Sequence, residues 1–221
     1  MTRIYLILMF LILIIASSLL YFFYFSKNQS KNQPPPSPYL SENAPSTEEP
    51  SKLPQPSAEP NEPIQNFKSR ITKKPFGIYI TPQSSPVQPE RFTGYHTAVD
   101  VEYQDQSGDI PVYAIEDGTI TYSNWVSGYG GVLIMKSQIE NKSSSILYGH
   151  LKQSSLPTVG TEFKKGDQMA ILGEGYSNDT DNERKHLHFG ILSDDRIDLK
   201  GYVQNKSQLS GWVDPLSLFK K

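Results

Sequence analysis

The chain has 221 residues, a formal net charge of -2 and no cysteine. The near-neutral balance excludes the basic stripe that neutralises nucleic-acid phosphates. The missing cysteine excludes disulfides, thiolate metal sites and thiol catalysis, so any metal must be held by histidine, carboxylate or water.

Residues 4–25, from Ile4 to Phe25, carry no charge. As a helix rising about 1.5 Å per residue they would span ~33 Å, against a hydrocarbon core of about 30 Å. Tyr5, Tyr21 and Tyr24 sit near the two ends, where interfacial aromatics belong. A cleaved signal peptide has an apolar stretch of only about 7–15 residues. Ala16-Ser17-Ser18 offers a cleavage site, yet more apolar chain follows it. Residues 1–25 are therefore expected to be an uncleaved N-terminal transmembrane anchor. Arg3 lies on one side of the run and Lys27 and Lys31 on the other, so charge leaves the orientation open.

Residues 26–65 read as a Pro-rich disordered linker. Ten of the 17 prolines fall between Pro34 and Pro63, among Ser, Glu, Asn and Gln. Such a segment cannot bury enough apolar surface to fold. Its length would reach ~120 Å as extended polyproline and far less as a coil.

Residues 66–221 have the composition of a folded domain. Short β-rich runs at 77–81, 112–114, 118–125, 131–137, 145–151, 168–172 and 186–192 alternate with turn residues. Helical periodicity is nearly absent. The pattern predicts an all-β domain, a small antiparallel β-sandwich or partly open barrel.

The four histidines lie at 96, 150, 186 and 188. In a strand over 186–192, side chains alternate with period two. His186 and His188 then share one face, while Leu187, Phe189 and Ile191 share the other and pack into a core. His96 and Asp100 are four apart, and a strand or its entrance would place them on one side. His150 follows the apolar Ile146 and Leu147. A catalytic zinc takes three protein ligands and keeps a fourth position for water. Two histidines and one carboxylate suit such a site. The two remaining histidines are then available as proton handlers.

The sequences His96-x-x-x-Asp100, Tyr148-Gly149-His150-Leu151 and His186-Leu187-His188-Phe189 resemble the signature of the lysostaphin-type zinc peptidoglycan endopeptidases, with their LytM-like peptidase domain. The likeness runs from roughly Pro75 to Phe219. It includes Pro111-Val112-Tyr113-Ala114, Asp117-Gly118-Thr119, Gly128-Tyr129-Gly130-Gly131, residues 159–173 and Asp214-Pro215. The resemblance implies that His96, Asp100 and His188 bind Zn2+ and that His150 and His186 are catalytic. It also implies a groove on one sheet and a bacterial cell-wall peptidoglycan peptide as substrate. Two departures stand out. Ala98 replaces a common glycine, and a polar loop over 178–185 replaces a short Thr-Gly-Pro-like run.

The expected protein is a membrane-anchored zinc metalloendopeptidase with its peptidase domain on the extracytoplasmic side. Its partners would be wall peptide and the cytoplasmic membrane, with no nucleic acid. A non-catalytic wall-binding or hydrolase-activating relative of the same fold is the alternative, and the presence of all five site residues weighs against it. The turn at 160–167 is also similar to those of biotinyl and lipoyl carrier domains, but no modifiable lysine in a short apolar context accompanies it. The sequence leaves open which of His150 and His186 is the general base.

Overall fold

A computed structural model describes residues 62–219. The transmembrane helix expected at 1–25 and all but the last residues of the expected linker lie outside these. Among the described residues no helix is long and apolar enough to cross a membrane.

Among the described residues there are five short 3₁₀ turns and twelve strands, in the order β1 (Tyr79–Ile80), β2 (Gly94–His96), β3 (Ala98–Glu102), β4 (Pro111–Tyr113), β5 (Gly118–Val126), β6 (Gly130–Ile139), β7 (Lys142–Leu151), β8 (Glu162–Phe163), β9 (Gln168–Ile171), β10 (His186–Leu192), β11 (Tyr202–Val203) and β12 (Trp212–Val213). The all-β expectation is met, and every strand pairing is antiparallel. A seven-stranded sheet runs β12-β10-β7-β6-β5-β8, with β3 also on β10; β1-β2-β11 and β4-β9 form two smaller sheets.

Strand β10 is the hub of the large sheet. It pairs with β3 and β12 along one edge and β7 along the other. Leu187, Phe189 and Ile191 are fully buried and join Val99, Val101, Ile146 and Tyr148 in the main core. Each such side chain contributes about 1.5–3 kcal/mol on burial. A one-residue slip of β10 would turn this whole set outward, so the core fixes which face the histidines take.

The N-terminal part of the described chain belongs to that core. Ile64 and Phe67 are fully buried. The Tyr113 N–H donates to the Pro63 carbonyl at 2.8 Å, and the Tyr103 hydroxyl donates to the Gln65 carbonyl. Phe67 meets Phe189 edge to face, with ring centroids 5.5 Å apart. Packed chain thus includes Ile64 and Phe67, on either side of residue 66.

Candidate metal centre and its cleft

The register of β10 builds the site. His188 lies opposite Asp100 and His186 opposite Glu102 across the β3 pairing, and His188 lies opposite Gly149 across the β7 pairing. Residues opposite one another in an antiparallel pair point the same way. Asp100, Glu102, His186 and His188 therefore share the face turned away from the main core. Ala98 opposes Gly190 on this face. A Cβ built on Gly190 would touch the Ala98 methyl at an ordinary 3.4 Å, so the alanine fits.

His96 reaches the same place by a different route from that expected. It is not on one strand with Asp100. Strand β2 ends at His96, β3 starts at Ala98, and the two belong to different sheets. Thr97 makes the break. Its N–H donates to the Gly201 carbonyl at 3.1 Å, and its hydroxyl donates to the Lys200 carbonyl at 2.7 Å.

Three donor atoms converge. His96 Nε2 is 3.2 Å from His188 Nδ1 and 3.3 Å from Asp100 Oδ1, and the last two are 3.0 Å apart. All three residues are buried. The His96 Nδ1–H donates to the Pro75 carbonyl at 3.2 Å, which leaves Nε2 with its lone pair. Two acceptors, His96 Nε2 and Asp100 Oδ1, thus face each other at 3.3 Å. A shared cation would resolve that repulsion. Zinc–nitrogen bonds of about 2.0–2.1 Å imply tetrahedral edges of about 3.3–3.4 Å, close to the spacing found. The donor set fits zinc.

His150 stands in a β-bulge. Gly131 pairs with Leu151 and Val132 with Gly149, so His150 has no partner on β6. Its φ is 62°, in the left-handed region. Plain alternation would turn His150 the same way as Tyr148, into the core. The bulge re-aims it, and its ring lies 4.1 Å from that of His186. Gly149 accommodates the crowding beside it. A Cβ there would sit 2.6 Å from the Tyr129 ring.

Burial, reinforced by His188 and Arg184, pushes His150 down to about 3. Burial, with Arg184 and His150, pushes His186 well below its usual value. Burial also lowers His188. These three imidazoles are neutral at pH 7, the state in which a histidine accepts a proton or ligates a metal. Burial pushes the Asp100 carboxyl up, but His96, His186, Arg184 and the His188 hydrogen bond outweigh it and hold it well below the usual range. Of these, only Arg184 carries a charge at every working pH. The His186 Nδ1–H donates to the Arg184 carbonyl at 2.8 Å, so Nε2 is the acceptor nitrogen. His150 Nδ1 has no hydrogen-bond partner.

The cleft around these groups has a volume of about 270 Å³. Several of its residues were not singled out from the sequence. Tyr129 approaches His188 Nε2 through its hydroxyl at 3.4 Å. The buried Lys74 ammonium lies 2.5 Å from Glu90 and donates to the Tyr202 hydroxyl at 3.0 Å. Arg184 bridges Asp100 and Glu102. None of these has a local sequence pattern; only Tyr129 lies in a stretch, Gly128-Tyr129-Gly130-Gly131, that the resemblance includes. The polar loop over 178–185 walls one side, where the Asp181 carboxylate accepts the Gly128 N–H at 2.7 Å. All five residues expected in the site are brought into one place.

Residues 94–199 match the model of Peptidase family M23. A stretch of 62 residues is 36% identical to the murein hydrolase activator EnvC of Escherichia coli (strain K12), covering 28% of this chain and 14% of that protein. The chain therefore spans only a small part of that relative's length. Among solved structures, LytU is 25% identical, with 69% of this chain and 86% of that chain covered and a TM-score of 0.46. A zinc-containing peptidase from Vibrio cholerae is 21% identical, with 58% and 38% covered and a TM-score of 0.36.

Proposed function

Residues 94–199 match peptidase family M23, and from that match and the site we propose that the protein is a LytM-type zinc metalloendopeptidase that hydrolyses peptide bonds of bacterial peptidoglycan. The observation that carries the reading is the triangle of His96 Nε2, Asp100 Oδ1 and His188 Nδ1 with two further neutral histidines in the same cleft. Zinc bound there supplies Lewis acidity and brings the pKa of water toward ~7.

The chain's own residues then divide the work. His186 is held by its Nδ1–H to the Arg184 carbonyl, which leaves Nε2, 3.5 Å from Asp100 Oδ2, as the acceptor that takes the proton of the attacking water. His150, neutral and beside it, donates a hydrogen bond to the oxygen that gains charge on the scissile carbonyl, and His186 then passes the proton it took from water to the leaving amine. Tyr129 orients the His188 ring through Nε2.

The likeness to a murein hydrolase activator raises a second reading, in which the cleft binds a partner without cutting wall. The complete donor set favours hydrolysis. The test is digestion of purified peptidoglycan by the full chain in detergent, with and without a zinc chelator, and mass spectrometry of the fragments. Chelator-sensitive release of new amino termini is expected. A zinc-loaded chain that leaves every peptide bond intact would establish the activator reading instead.

The apolar run at residues 4–25 and the wall-directed chemistry together support a single-pass anchor in the cytoplasmic membrane, with the domain outside. Protease added to wall-stripped cells is expected to remove the domain. Protection until the membrane is permeabilised would reverse the orientation.

A further inference from the structure

Arg184 sits two residues before the histidine pair, at the entrance to β10, with a side chain 2% exposed. Its Nη2 donates to Asp100 Oδ2 at 2.8 Å and to Glu102 Oε1 at 2.7 Å. Its Nε donates to the two Glu102 oxygens at 2.9 and 3.1 Å. The β3 register creates the opportunity, because Asp100 and Glu102 are two apart and share a face. Nη2 bridges the two carboxylates while Nε holds Glu102 a second time, a fixed planar arrangement that the point charge of a lysine does not reproduce. Behind Glu102 stand Lys73, 3.6 Å from its carboxylate, and Arg70, which donates to its main-chain carbonyl at 2.8 Å.

Stability alone is a weak reason for such a cluster, since buried ion pairs are often replaceable by apolar side chains at no cost. Its geometry has a more specific consequence. Asp100 has two oxygens, and they face different partners. Oδ1 faces His96 and His188, while Oδ2 accepts from Arg184 and lies 3.5 Å from His186 Nε2. The Arg184 main chain also holds His186 Nδ1.

We propose that Arg184, backed by Glu102, is a positioning residue that presents Asp100 to the metal through one oxygen only. The inference rests on the reading of the donor triangle as a zinc site. With Oδ2 clamped, the carboxylate neither rotates out of the triangle nor offers both oxygens to an ion that the triangle would hold. Groups that orient a ligand in this way are worth about 10–100-fold in metal affinity or activity.

The experiment measures zinc Kd on the full chain in detergent, by competition with a chromophoric chelator, beside the melting temperature of the zinc-stripped protein. The double substitution Glu102→Leu with Arg184→Met removes both charges of that pair together and leaves Asp100 without its guanidinium partner. The expected result is a folded protein with a lowered melting temperature and zinc binding about 10–100-fold weaker. Arg184→Lys keeps a cation but loses the fork, and is expected to fold and to bind zinc several-fold more weakly. Wild-type affinity in a folded double variant, or in a folded Arg184→Lys protein if the double variant does not fold, would overturn the positioning role and leave the functional reading intact. A wild-type chain that binds no zinc would overturn both.

Discussion

His150→Ala separates transition-state chemistry from folding. The native residue carries two local costs. Its φ of 62° is unfavourable for a side chain bearing a Cβ, and its Nδ1 is buried without a partner. Alanine keeps the first cost and removes the second, which is worth about 1–3 kcal/mol. Against that stands the lost burial of the ring, about 1.5–3 kcal/mol by analogy with other large side chains. The two nearly cancel, leaving a net change within about 2 kcal/mol. For a domain of about 150–250 residues that is a shift in melting temperature below roughly 8 °C. The ring neither faces the donor triangle nor supplies one of its atoms, so zinc content should stay at one per chain. Turnover should fall by about 10²–10⁴, which is about 2.7–5.5 kcal/mol of activation free energy. Calorimetry, elemental analysis and chromatographic assay of a defined crosslinked muropeptide read the three quantities. Unchanged turnover would reduce His150 to a strand-end histidine. Loss of zinc would put it among the ligands, and a melting temperature lowered by more than about 15 °C would show the ring to be a structural part of the core.

His188→Ala should empty the site of zinc, because two donors remain of three, whereas His186→Ala should keep zinc and lose turnover; elemental analysis showing the reverse would exchange the roles of the pair. Gly149→Ala forces a methyl to within 2.6 Å of the Tyr129 ring, and overpacking of about 1–3 kcal/mol should lower the melting temperature by roughly 2–12 °C; an unchanged melt would show that Tyr129 is free to move. The lowered values of His150, His186 and His188 mean that the unfolded chain binds protons first as pH falls. Stability conferred by their neutral state is therefore complete above the unfolded value near 6.5 and declines as pH falls toward about 3 for His150. The slope approaches about 1.4 kcal/mol per pH unit for each histidine. Urea midpoints of zinc-stripped protein across this range should show it, and His150→Ala should remove one histidine's share; an identical slope in that variant would refute the assignment.

Strand β10 was legible in the sequence because its information is local. Alternation of His186 and His188 with Leu187, Phe189 and Ile191 needs only the two-residue period of a strand. Turn residues between short β-rich runs marked the all-β class for the same reason, and motif order was enough to draw the five site residues together. Strand pairing decided the rest. The sequence reads His96 and Asp100 as lying on a strand or its entrance, and it is contacts from Gly201 and Lys200 that interrupt the strand at Thr97 and send the two residues into different sheets. The bulge at His150 exists only because β6 and β7 pair with one residue in excess; without it the same histidine would face the core. Arg184 meets Asp100 across 84 residues, and Lys74 meets Tyr202 across 128. A one-letter pattern carries no trace of such meetings, because register between distant strands is set by which hydrophobic faces fit together. Chemistry-bearing residue types were readable along the chain. Their tautomers, their buried counter-charges and the aim of each ring belong to the folded sheet.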